Sequence, residues 1–117
     1  MKLRKALLLT TSLIAIIASL PSMAETWCEG PVTSIGVKKT GLVYTSGPGG
    51  LPVVYLCNLQ NKVNNVEVES CKAMFSTLLA ARAQKKNVRI TFSPDIEACN
   101  TVTSWAYAEH LNWVISY

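Results

Sequence analysis

The sequence predicts an all-β fold, a small five-stranded barrel carrying one helix. Three observations lead there. Most of the chain after residue 24 falls into short runs rich in Val, Ile, Tyr and Phe. A single stretch, Ser70 to Ala83, has helical composition and spacing. Four cysteines lie in the same part of the chain, as expected of a small domain stapled by disulfides.

The chain opens on Met1-Lys2-Leu3-Arg4-Lys5, a short basic segment. Residues 6–20 are apolar apart from Thr10, Thr11, Ser12 and Ser19. Pro21 and the small residues Ser22 and Ala24 complete the pattern of a secretory signal peptide, 1–24, with cleavage before Glu25. The alternative is an uncleaved anchor, but the apolar run is short of the ~20 residues that a spanning helix needs. The second unit, 25–117, is then the working domain, secreted or periplasmic, with no stable membrane span after cleavage. Lys2, Arg4 and Lys5 leave with the leader, so the formal charge of +4 shrinks to a near balance. A nucleic-acid partner, which needs clustered positive charge, is not expected.

Cys28, Cys57, Cys71 and Cys99 allow three pairings. Cys57 with Cys71, closing a short loop, and Cys28 with Cys99 are favoured. No CxxC or CxxH unit is present and the one histidine, His110, is distant, so neither a metal nor another cofactor is expected.

Along the domain, Val32 to Thr45 reads as strand, with Gly36 and Gly41 marking a bulge or bend. Ser46-Gly47-Pro48-Gly49-Gly50 is a loop. Pro52 to Leu59 is a second strand, and Val66-Glu67-Val68-Glu69 alternates like a half-buried third. The helix follows, with Ser70 as its cap, a stripe of Met74, Leu78 and Ala81, and Asn87 as terminator. Val88 to Phe92 is a strand, Ser93-Pro94-Asp95 a turn, and Ile96 to Ala108 is ambiguous. Leu111 to Tyr117 closes the chain as a strand. A helix between strands three and four of a five-stranded, partly open barrel is the OB-fold arrangement. An open α+β sheet with the helix on one face satisfies nearly the same pattern.

Tyr55-Leu56-Cys57, the later Cys71, Phe75-Ser76-Thr77-Leu78 and Val88-Arg89-Ile90-Thr91-Phe92 together resemble the receptor-binding B subunits of bacterial toxins of the subtilase-cytotoxin and typhoid-toxin type. The likeness spans Cys57 to Phe92, with a looser echo at Trp27. It implies an OB-fold, a ring homopentamer, binding of host sialylated glycans and carriage of a catalytic A subunit. Cys28 and Cys99 depart from that family, whose late cysteine pair is missing here. The family's sugar-contacting serine near the first strand has Ser34, with Thr33 beside it, as its nearest counterpart.

No catalytic residue is expected, and the domain is read as a binding protein rather than an enzyme. Ser104, His110 and Glu109 form a triad only on paper. Glu67 and Glu69 fit the wet side of a strand. Carbohydrate sites combine aromatic faces with hydroxyl groups. The aromatic candidates are Trp27, Tyr44, Tyr55, Trp105, Tyr107, Trp113 and Tyr117; Trp113 and Tyr55 are assigned to the core, Trp105 and Tyr107 are read as more open, and Trp105, with Thr103 or Ser104, is the candidate ligand or subunit contact. Arg82, Lys85, Lys86 and Arg89 form a basic group at the helix end. A small binding or inhibitor protein without a toxin partner is the alternative function.

Overall fold

The computed structural model describes residues 24–117. The signal-peptide reading falls on 1–24, and all but its last residue lies outside the described residues. The strands are β1 (Thr26–Pro31), β2 (Ser34–Val37), β3 (Leu42–Ser46), β4 (Val54–Asn58), β5 (Asn87–Phe92) and β6 (Leu111–Ser116). One helix, α1 (Val68–Ala83), follows β4.

The strands form two antiparallel sheets of three, ordered β1-β5-β6 and β2-β3-β4. The expected five-stranded OB-fold barrel is therefore corrected. Among the described residues no ladder closes the two sheets into one barrel, and the arrangement is open. The open alternative was nearer, although it foresaw one sheet and not two. The fold-level basis for calling the chain a toxin B subunit goes with the barrel.

Three local readings change with it. Val32 to Thr45 is not one strand but the end of a crossover and a hairpin. Lys38 N–H donates to Leu42 O at 2.8 Å and Gly41 N–H to Lys38 O at 2.7 Å, which closes the turn between β2 and β3. Thr26–Pro31 is a strand that the sequence reading passed over. Val66 to Glu69 is not a strand: Val66 makes only an isolated bridge to Val63, and α1 starts at Val68.

The core explains why these elements hold together. Cys28, Val43, Val54, Leu56, Val88, Ile90 and Phe92 are fully buried from both sheets. Helix α1 adds Cys71, Leu78 and Ala81, which recur at seven and three residues and so share one stripe. Met74 and Phe75 pack against that stripe half-buried. Burying a side chain such as Leu78 stabilises by about 1.5–3 kcal/mol. The helix ends in a Schellman motif: Lys85 N–H bonds Arg82 O and Lys86 N–H bonds Ala81 O. Lys85 takes the left-handed position, φ 54°, that glycine usually occupies. Ser70, expected as the cap, lies within the first turn. Asn87, expected as terminator, begins β5.

Both favoured disulfides are present, Cys28–Cys99 and Cys57–Cys71. The second fastens α1 to β4, and the first fastens β1 to the long connection between β5 and β6. The glycine-rich loop is a single 3-10 turn, Pro48–Gly50, packed on β1. A Cβ on Gly49 would lie 2.9 Å from Cys28 Cα, so only glycine allows that approach. No helix among the described residues is long and apolar enough to cross a membrane.

Candidate ligand-binding site

The connection from Ser93 to His110 carries most of the site. Its middle is grafted onto the edge of the second sheet. Trp105 N–H donates to Val53 O at 2.7 Å, Tyr55 N–H to Ala106 O at 2.8 Å and Ala108 N–H to Tyr55 O at 2.8 Å. A parallel bridge between Tyr55 and Tyr107 results. Its start is held by Thr26 Oγ1, which accepts from Ile96 N–H at 3.0 Å and donates to Ile96 O at 3.2 Å. Cys99 is tied to β1 between these anchors.

This grafting gathers four aromatic rings. Trp105 lies 6.0 Å from Tyr44 and 6.3 Å from Tyr55, and Tyr55 lies 5.9 Å from Tyr107. Tilted and edge-to-face geometries of this kind contribute about 0.5–1.5 kcal/mol per pair beyond burial. Trp105 is nevertheless 61% exposed and Tyr107 42%. The backbone at Trp105 is left-handed, φ 57°. A bulky residue there costs roughly 1–2 kcal/mol, which its backbone bond and ring contacts offset. Large aromatic area is thus held rigid and left open to water.

A cleft of about 490 Å³ lies beside these rings and shares Tyr107 with them. Thr101, Thr103, Asp95, Glu97, Glu109 and His110 also line it. It offers hydroxyl, carboxylate and imidazole groups next to an aromatic wall. Ser104 is exposed at the same bend.

Thr33 and Ser34 sit elsewhere on the same sheet. The Thr33 hydroxyl meets the Ser46 hydroxyl at 3.0 Å, and Ser34 also hydrogen-bonds Ser46. Ser34 pairs with Ser46, and Gly36 with Tyr44, across β2 and β3. Two-residue periodicity puts Ser34 and Tyr44 on one face. The structure therefore unites Thr103, Ser104 and Trp105 on the connection. It relates Ser34 to them through Tyr44, while Thr33 and Ser34 spend their hydroxyls on Ser46.

Tyr55 belongs to the site and is half-buried, not a core residue. Tyr44, one of the seven aromatic candidates, was not singled out as a contact, because nothing in the local sequence shows that two strands and a distant loop converge. Trp113, also assigned to the core, is 60% exposed. A register shift between Ile90 and Phe92 leaves Val114 facing Ile90 inward, and Trp113 outward.

Glu67 pairs with Lys62 at 2.8 Å and Glu69 with Lys72 at 2.9 Å. Among the described residues no hydrogen bond joins Ser104 to His110, and no group of three His, Cys, Asp or Glu is placed to hold a metal ion. Arg89, one of the basic group at the helix end, has a carboxylate partner of its own. It pairs with Glu29 and lies 4.1 Å from the Trp27 ring and 5.1 Å from that of Tyr117. Tyr117 Oη donates to Glu29 Oε2 at 2.9 Å. That bond, then Arg89, holds the Glu29 carboxyl below its ordinary value, and Glu29 in turn raises the Tyr117 phenol. Hydrogen bonds from Thr91, Asn112 and Trp27 lower Glu25 likewise.

Protein-family models, characterised proteins and solved structures provide no match to this chain.

Proposed function

We propose that residues 25–117 form an exported, non-catalytic domain that binds glycans through the face built by Tyr44, Tyr55, Trp105 and Tyr107. One observation carries the reading. Trp105 and Tyr107 are pinned by neighbouring rings and backbone bonds yet stay 61% and 42% exposed. Isolated exposed apolar residues are ordinary, but a rigid aromatic group beside a hydroxyl-bearing cleft is the composition that sugars select. The apolar face of a pyranose covers ring area, while Thr103, Ser104 and the cleft groups supply directional bonds.

The resemblance to toxin B subunits adds narrower proposals that rest on it alone. The glycan is sialylated, five copies form a ring, and the ring carries a catalytic partner. A small exported binding protein acting without such a partner uses the same face and is the second reading. It draws on the open two-sheet fold, which departs from the barrel of those subunits.

The test is a glycan array probed with the exported chain and with Trp105→Ala. The expected result is binding that Trp105→Ala weakens by about tenfold or more while the chain still unfolds in one cooperative transition. An array without binders, or full binding by Trp105→Ala, would refute the reading.

A further inference from the structure

Gly36 lies in the interior of β2, where a glycine weakens a strand and contributes no packing. Five of the six glycines take positive φ, a conformation that accounts for their choice. Gly36 does not, so its backbone alone gives no reason for a glycine. The space around it does. A Cβ at Gly36 would stand 2.6 Å from Tyr44 Cζ and 2.7 Å from its phenol oxygen, and closer still to Cε1. The Tyr44 ring therefore lies directly across the Gly36 backbone, phenol end included. Real Cβ atoms do not approach a ring so closely, and even alanine would push this one away.

The displaced ring is the one that meets Trp105. Tyr44 and Trp105 are 6.0 Å apart with a 48° tilt. The indole is mostly in water, so few contacts besides Tyr44 and Tyr55 fix its orientation. Tyr55 belongs to β4 and is not coupled to Gly36 in this way.

We infer that Gly36 is a positioning residue for the binding face: its missing side chain seats Tyr44 flat on β2, and Tyr44 sets the pose of the Trp105 indole. This rests on the proposed function only for its effect on glycan affinity. The positioning itself is independent of any ligand.

The exported chain, with both disulfides formed and labelled with ¹⁵N, gives one indole N–H resonance for each of Trp27, Trp105 and Trp113. In Gly36→Ala the Trp105 resonance is expected to move and its ring contacts with Tyr44 to vanish. The Trp27 and Trp113 resonances stay in place. Tyr44→Ala moves the same Trp105 resonance, and adding Gly36→Ala to it causes no further movement. With sialyllactose as probe, the dissociation constant rises about tenfold in Gly36→Ala. An unmoved Trp105 resonance in Gly36→Ala overturns the inference, as does additional movement in the Tyr44→Ala background. Should Gly36→Ala fail to fold, Tyr44→Ala decides alone: an unmoved Trp105 resonance there also overturns it. A Trp105 resonance that moves in Gly36→Ala, with a wild-type protein that binds no sialyllactose, supports the positioning role and removes the sialylated-glycan reading instead.

Discussion

Removing the Cys28–Cys99 bridge tests how much of this small domain depends on its longest covalent link. The double variant Cys28→Ala and Cys99→Ala leaves Cys57–Cys71 intact. The two cysteines are 71 positions apart, so their bridge closes a loop around nearly the whole fold. Chain-entropy arithmetic for a loop of that size gives about 4.4 kcal/mol, against about 3 kcal/mol for the Cys57–Cys71 loop with its separation of 14. A domain of this length has roughly 5–14 kcal/mol of stability in all. The variant therefore loses a third of it or more. The assay is urea unfolding followed by circular dichroism. With a slope of about 1.3 kcal/mol per molar urea, the midpoint falls by about 3 M. The slope also rises, because the unbridged unfolded chain exposes more surface. Alanine at buried position 28 leaves no unpaired polar group. A loss below about 1 kcal/mol would refute the reasoning, since it would mean that the unfolded chain is already restrained without the bridge. The aromatic face should survive the change, because Trp105, Ala106 and Ala108 keep their backbone bonds to β4 and its flank.

Other outcomes follow from single residues. Lys85→Gly should stabilise by about 0.5–1 kcal/mol in the same assay, since glycine adopts the left-handed position after α1 without Cβ strain. Phe92→Ala, at a fully buried position between β1 and β6, should cost about 3–5 kcal/mol. The Glu29–Tyr117 contact predicts a two-sided pH profile. Glu29 is lowered, so its contribution is present above the ordinary carboxylate range and fades as pH falls through the lowered value. Tyr117 is raised, so its contribution is present below the ordinary phenol value and fades as pH rises through the raised one. The stability difference between wild type and Tyr117→Phe should therefore be largest between those limits and shrink at both ends. Unfolding midpoints from about pH 2 to about pH 11 would show it, and a flat difference would contradict it.

What could be read from the sequence was local. β4, β5, β6 and α1 announce themselves through runs of β-branched and aromatic residues or through helical spacing. The two disulfide pairs were the favoured choice among three, from an even cysteine count and the short loop between Cys57 and Cys71, and both are present. β1 was hidden because Thr26–Pro31 includes Gly30 and Pro31, residues of low strand propensity. Val66 to Glu69 misled because four residues cannot separate a two-residue period from a helical one. The charged turn Lys38-Lys39-Thr40-Gly41 did carry a hairpin signal, in Gly41 at φ 93°. Barrel closure failed at another level, since it depends on edge pairing between distant strands. The site divides the same way. Trp105, Thr103 and Ser104 stood out as aromatic and polar in a loop. The roles of Tyr44 and Gly36 exist only once β2, β3 and the connection meet.

The double anchoring of that connection makes the domain suitable as a display scaffold. Residues 100–104 run between Cys99, bonded covalently to β1, and Trp105, hydrogen-bonded to Val53. Both ends of this five-residue span are fixed from outside it, and within it the Thr101 hydroxyl bonds Ala98 O and Val102 packs against the core. A library randomised at the exposed positions Asn100, Thr103 and Ser104 would vary the surface beside the rings while the sheets below keep their register, much as antibody loops vary on a constant framework.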